Sequence, residues 1–313
     1  MRTWGRPALA ALFAPLILAG CAAPRQPPLA ISGNTSTLEL APVLLAADQR
    51  GETVRNGGIP DLFKPGGAEV ATNAETQALR ASVDHPELRI ILTVSEGWYR
   101  IVARRSAGIA SLADLKGKRI ATFPSTSSAY YLHRMLATAG LSEADVTIVP
   151  ILPLSDMAPA LKSGKVDAVT IWEPEIERAK AAVGDDAIQF QDRTVYRELF
   201  DLNTTAARLA DPASRHRIVA LVRQIALASA SIRQDPKPAW TALHASTGYD
   251  PALIARVWEH EGYPAALPAD LLDVMVDEEA WLARQAGRPA RTRAELATLI
   301  DRSVLDEALS RHR

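Results

Sequence analysis

Arg119-Ile120-Ala121-Thr122-Phe123-Pro124-Ser125-Thr126-Ser127-Ser128-Ala129-Tyr130-Tyr131-Leu132 is the stretch on which the fold turns. Residues 119–123 are mostly apolar or β-branched and read as a strand. Residues 127–139 read as a helix, and Gly140 stands where a helix needs a left-handed cap. Between them run four hydroxyl residues, Ser125, Thr126, Ser127 and Ser128. A helix start presents N–H groups without partners and the positive end of the helix dipole, so this turn suits an anion. It equally suits a plain N-cap that holds nothing.

The same rhythm continues on both sides. Further strands are expected at 37–40, 69–72, 88–94, 99–104, 146–150 and 166–171, and further helices at 73–82, 156–163 and 174–182. Strand, helix, strand in this order predicts parallel-rich sheets with crossover helices, an α/β fold. After about residue 200 one more strand, 201–208, precedes a helix-rich C-terminus. Asp211-Pro212 opens a helix with an N-cap acid and a first-turn proline, and Ile218, Leu221, Val222, Ile225, Ser229 and Ile232 recur at helical spacing. Helices follow at 238–246, 251–261, 269–286 and 293–309, the last opened by a Thr292/Glu295 capping box.

In open parallel sheets ligands sit beyond the carboxyl ends of the strands. Those ends carry the candidate ligand-binding residues: Asn73, Glu75 and Thr76, then Ser125 to Ser128, then Trp172 and Glu173. Glu39, where the first expected strand ends, joins them. An indole such as Trp172 can stack on a ring, and Glu75 would repel an anion but accept from an amine or ring N–H. Trp98 and Tyr99 either line the cleft or pack beside it. Asp167, just after Gly164, reads as a brace for that turn.

Of 313 residues, 48% are hydrophobic and 23% charged, enough for about two lobes with cores. Lys plus Arg is 35 against 36 Asp plus Glu, a net charge of -1, which argues against nucleic acid as a partner. The six histidines have no zinc-site spacing, and no phosphate loop, serine elbow or HExxH pattern is present. The chain is therefore expected to have no catalytic residues, no metal and no cofactor.

Arg2 and Arg6 precede an apolar run, 8–18, that is too short to span a bilayer as a mature helix but suits a secretory signal. The run ends in Leu18-Ala19-Gly20-Cys21, which resembles the bacterial lipoprotein cleavage box. Cys21 is the only cysteine, so no internal disulfide is available and lipidation is the expected fate of its thiol. Residues 1–21 then form the signal, and 22–36, with Pro24, Pro27, Pro28, Gly33 and several small polar residues, a flexible tether.

A resemblance sharpens these expectations. Ser111-Leu112-Ala113-Asp114-Leu115-Lys116-Gly117-Lys118, Ala139-Gly140-Leu141, Ala160-Leu161-Lys162-Ser163-Gly164-Lys165-Val166-Asp167-Ala168 and Trp172-Glu173-Pro174 occur in that order. As a set they resemble the solute-binding family for nitrate, taurine, aliphatic sulfonates and thiamine-pyrimidine precursors, the NMT1/THI5-like group. The resemblance implies a type II periplasmic binding protein: two α/β lobes joined by two crossover segments, the first lobe at 36–103 and 203–313, the second at 104–202. It implies a ligand in the interlobe cleft, an ABC permease and ATPase as partners, and a monomer tethered to a bacterial membrane on its periplasmic or outer side. The hydroxyl turn favours a small oxyanion such as an aliphatic sulfonate, taurine or nitrate; a neutral thiamine-pyrimidine-type precursor is the alternative. The same fold hosts a pyrimidine synthase and a dehydratase, but the synthase needs a cysteine-rich motif that this chain lacks.

Overall fold

Eleven strands in two mixed sheets organise the chain, which a computed structural model describes at Met1 and over residues 28–310. Residues 2–27, which include Cys21, nearly all of the expected leader and the first part of the expected tether, lie outside the described residues. The strands are β1 (Ile31–Gly33), β2 (Val54–Asn56), β3 (Val70–Ala74), β4 (Leu88–Gly97), β5 (Ile101–Arg104), β6 (Arg119–Ala121), β7 (Thr147–Val149), β8 (Ala168–Thr170), β9 (Ala187–Phe190), β10 (Glu198–Thr205) and β11 (Glu261–Gly262). The six-stranded sheet has the order β11-β4-β10-β3-β1-β2 and the five-stranded sheet β7-β6-β8-β5-β9. The chain crosses between them twice, through Trp98, Tyr99 and Arg100 and again through residues 191–197.

That double crossing explains why the sheets are mixed rather than parallel-rich. β1 is parallel to β2 and β3, and β6 is parallel to β7 and β8, as crossover helices require. But β5 runs antiparallel to β8 and β9, and β10 wedges antiparallel between β3 and β4. A segment that leaves one sheet and returns must re-enter pointing the other way.

Three local expectations are corrected. Residues 37–40 are not a strand: Leu38–Leu40 is a 3-10 turn feeding the helix Ala41–Gln49, which has Pro42 in its first turn. Leu38, Glu39 and Leu40 are all buried, a run that a strand with one wet face cannot supply. The first strand is β1, an inner strand inside the stretch read as tether; the prolines before it obscured three residues that parallel pairing on both sides makes fully buried. The expected helix 293–309 is two, Arg293–Ala297 and Ser303–Leu309, because the residues between them bridge to β4: Ile90 N–H donates to Leu299 O at 2.7 Å, and Asp301 N–H to Ile90 O at 2.9 Å.

Other expectations hold. Asp211 caps the helix Pro212–Gln234 through Ser214 N–H at 2.9 Å, and Ile218, Leu221, Val222, Ile225, Ser229 and Ile232 form its buried face. Each such aliphatic side chain contributes roughly 1.5–3 kcal/mol on burial. Thr292 and Glu295 form the capping box, at 2.7 and 3.3 Å. Asp167 braces its turn: its carboxylate accepts from Arg119 N–H at 2.9 Å and from the Arg119 guanidinium at 2.8 and 3.1 Å.

Candidate functional site

The site is assembled from segment ends. Glu39 rides the 3-10 turn, Asn73 lies near the end of β3, and Glu198 is the first residue of β10. From the other sheet come Ser127, first residue of the helix Ser127–Thr138, and Trp172, just past β8. Between these two walls is a cavity of about 290 Å³. Asn34, Thr37, Glu39, Asn73, Ala74, Gln77, Glu198 and Phe200 line one side, and Phe123, Thr126, Ser127 and Trp172 the other. Beside it is a recess of about 10 Å³, lined by Gly97, Trp98, Tyr99, Ile171, Glu173, Ile176 and Glu261, with Glu39, Trp172 and Glu198 shared.

A chain of hydroxyls joins the walls. Tyr99 OH lies 2.8 Å from Ser127 Oγ, which donates to Glu198 Oε1 at 2.8 Å. This ties the first crossing segment, the helix start and the return strand together. The four carboxyls behave differently from exposed ones. Burial raises Glu39 and Glu261 well above the usual carboxylate range, and neighbouring Glu charges push the same way. Burial also raises Glu198, with Ser127 and Tyr99 hydrogen bonds pulling back. Glu173 rises to about 7 by burial, despite the opposing Arg100 charge. Arg100 is itself buried: it donates through Nε to Glu173 Oε1 at 3.0 Å, through a terminal nitrogen to Glu177 at 2.9 Å, and to Gln189 at 2.8 Å. No Lys or Arg lines the cavity or the recess.

Of the expected site residues, the structure brings Glu39, Asn73, Thr126, Ser127, Trp172 and Glu173 to these spaces. Asn73 is part of β3, so the helix expected at 73–82 starts only at Glu75. Four candidates lie elsewhere. Glu75 is buried at the helix start, where it accepts from Tyr196 OH at 2.5 Å and Leu199 N–H at 3.1 Å; burial raises it to about 8. Thr76 is fully buried behind it, and Ser128 is buried against Thr122 and Thr126 at 3.1 and 3.0 Å. Ser125 is on the rim, with a left-handed backbone at φ 58°. Its carbonyl accepts from Gln77 at 3.1 Å and Arg80 at 3.3 Å, and its hydroxyl donates to Gln285 at 3.3 Å.

Sequence reading missed Glu198 and Glu261. Glu198 precedes the apolar run placed at 201–208, and Glu261 sits where a helix was expected to end. Neither has a local signal, since each is brought in by strand pairing with β4, opposite Gly97. Among the described residues no group of His, Cys, Asp or Glu is arranged to hold a metal ion, and no helix is long and apolar enough to cross a membrane.

The profile of the NMT1/THI5 like family matches residues 52–236, more than half of the chain. A curated protein of Brucella abortus (strain 2308), named only as a binding protein, is 37% identical over 84 residues, 27% of this chain and 25% of its own length. The chain thus spans about a quarter of that relative. The periplasmic aliphatic sulphonate binding protein SsuA from Escherichia coli superposes with a TM-score of 0.71 at 17% identity, over 88% of this chain and 92% of that one. The desulfurization enzyme DSZB superposes with a TM-score of 0.63 at 16% identity, over 92% of this chain and 100% of that one. The two-bodied fold is therefore shared by binding proteins and by an enzyme.

Proposed function

The chain belongs to the NMT1/THI5-like family, and from that premise we propose that it is the solute-binding component of an ABC import system. It captures a small molecule between its two bodies, one built on the sheet β11-β4-β10-β3-β1-β2 and the other on β7-β6-β8-β5-β9, and delivers it to a permease served by an ATPase. The observation that carries this reading is the 290 Å³ cavity whose opposite walls are joined through Tyr99, Ser127 and Glu198. A hydroxyl next to a carboxyl also invites a nucleophile-and-base reading. Against it, no histidine lines the cavity or the recess, no cation stands there to stabilise an oxyanion, and the only cysteine is Cys21. A binding role without catalysis fits the site better.

The ligand class follows from the walls. Sulfonate binding by SsuA and the hydroxyl turn both favour an oxyanion. Here that turn faces Glu198, and Glu39 stands in the same wall with no cation to offset either. Trp172, Phe123 and Phe200 offer apolar and stacking surface instead. These features support a ring-bearing solute with N–H donors over an oxyanion. We further propose that Cys21 carries a lipid that tethers the mature protein to a bacterial membrane on its periplasmic or outer face.

A thermal-shift screen of the purified full chain against neutral, cationic and anionic small metabolites tests the receptor reading. A ligand at 100 times its dissociation constant stabilises by about 2.7 kcal/mol. The expected result is a hit that also shrinks the radius measured by small-angle scattering; a saturating hit with an unchanged radius contradicts hinge closure. Cys21→Ser should abolish partitioning into detergent, and a variant that still partitions contradicts the anchor.

A further inference from the structure

We propose that the recess beside the cavity is a site for the ammonium head of a primary amine, so that the solute is an organic cation. The inference rests on the receptor reading above and names its substrate class. Glu39, Glu173, Glu198 and Glu261 all line the recess, each at least nine-tenths buried. Each has one carboxyl oxygen, Oε2, that receives no N–H or hydroxyl from the protein, although the Glu39 and Glu198 carboxyls stand within hydrogen-bond reach of each other. Buried acceptors without donors are rare, and four around one small space call for something that only donates. An ammonium carries three donors and no acceptor, whereas a hydroxyl or amide would turn lone pairs toward carboxyl oxygens.

Size and shape agree. The 10 Å³ recess holds about one water-sized group, which admits –NH₃⁺ and excludes a guanidinium or a trimethylammonium. Glu39, Trp172 and Glu198 line both spaces, so the body of the molecule can lie in the cavity while its head enters the recess. Trp98, Tyr99 and Trp172 line the recess with aromatic side chains, residues of the kind that attract cations. Gly97 keeps the spot open: a Cβ on it would lie 3.0 Å from Glu198 Oε2 and 3.7 Å from Glu261 Oε2, so these two orphan oxygens face one point.

The protein's own charges do not fill the need. Arg100 is committed to Glu173 Oε1 and Glu177, and among the described residues no Lys or Arg forms an ion pair with Glu39, Glu198 or Glu261. The glutamates are not converged as metal ligands either. Burial first, and neighbouring Glu charges second, raise Glu39 and Glu261, and an ammonium between them would offset the second of these causes.

Calorimetric titration of the full chain with benzylamine, benzyl alcohol and phenylmethanesulfonate tests the proposal with one body and three heads. Benzylamine should bind about tenfold or more tighter than benzyl alcohol, and phenylmethanesulfonate not measurably. Gly97→Ala puts a methyl in the recess without changing charge, and Glu261→Gln removes one acid at constant shape. Both should weaken benzylamine by about tenfold and leave benzyl alcohol nearly unchanged. Equal affinity for amine and alcohol, preference for the sulfonate, or a Gly97→Ala variant that binds the amine normally overturns the ammonium site. If an anionic or neutral solute binds and compacts the protein, the receptor stands and the ammonium site falls. If neither these probes nor any screened solute binds, both fall.

Discussion

Glu279 and Glu198 are both buried, yet their surroundings are opposite. Glu279 accepts from Arg288 at 2.5 and 3.1 Å and from Arg291 side-chain and backbone N–H groups at 2.9 to 3.1 Å. Those hydrogen bonds outweigh burial and hold its carboxyl down to about 2. Arg291 also donates to Leu79 O at 2.7 Å and Ser82 Oγ at 2.9 Å, so this carboxylate anchors the helix Leu271–Gln285 to the helix Glu75–Ala81. Glu198 has Ser127 and Tyr99 for company, no cation, and one oxygen without a partner. Burial alone does not tell what an acid is for. A buried acid with its cations built in is part of the frame, and one without them is open to a partner from outside.

The largest effect should come from breaking the framed acid. Glu279→Gln leaves two arginines facing a neutral group and should destabilise by about 2–4 kcal/mol in urea unfolding. Glu198→Gln, close in shape and already biased toward protonation, should change stability by less than about 1 kcal/mol. Equal losses in both variants would erase the distinction.

A smaller, two-sided effect is expected with pH. The Glu279 contribution is fully present above the unfolded value of about 4.3 and is lost as pH falls toward 2. Glu75 and Glu173, raised to about 8 and about 7, act in the opposite sense. Their contribution is present below about 4.3 and is lost as pH rises through those folded values. Scanning calorimetry should therefore show the melting temperature falling on both sides. Glu75→Gln should flatten the alkaline limb and Glu279→Gln the acid one; a limb that keeps its slope in its own variant refutes the assignment.

The smallest effect sharpens the lesson. Asp61 also sits near 2, held by Lys64 at 2.6 Å and Ser32 at 2.5 Å, but Lys64 is largely exposed. Lys64→Ala should cost no more than about 0.5 kcal/mol in the same urea assay. A loss as large as that of Glu279→Gln would mean that a lowered carboxyl, and not its burial with its cations, measures structural worth.

These contrasts also mark what could be read in the sequence. The alternation of strand and helix is local, so the α/β fold and most elements between residues 88 and 183 were legible. The wall made by Thr126, Ser127 and Trp172 was legible for the same reason, since each lies within a few residues of its strand's carboxyl end. The acid wall was not. Glu198 and Glu261 meet only because β10 and β11 pair with β4 from either side at Gly97, a long-range event without a local pattern. Glu39 was named as a candidate, but on a strand end and not on the 3-10 turn that aims it. The mixed character of the sheets was equally hidden, because strand direction is set by where the chain returns and not by the residues in the strand.

The rim contact at Ser125 has a consequence of its own. What it offers to Gln77 and Arg80 is a backbone carbonyl, a neutral acceptor that no side-chain replacement removes and no protonation alters. Ionic strength screens charge pairs in water far more than contacts of this kind. At this point the seam is closed by bonds to a neutral acceptor, while the charge pairs Arg134–Asp277 and Arg256–Glu177, at 3.6 and 3.9 Å, join the same two bodies elsewhere and answer to the medium.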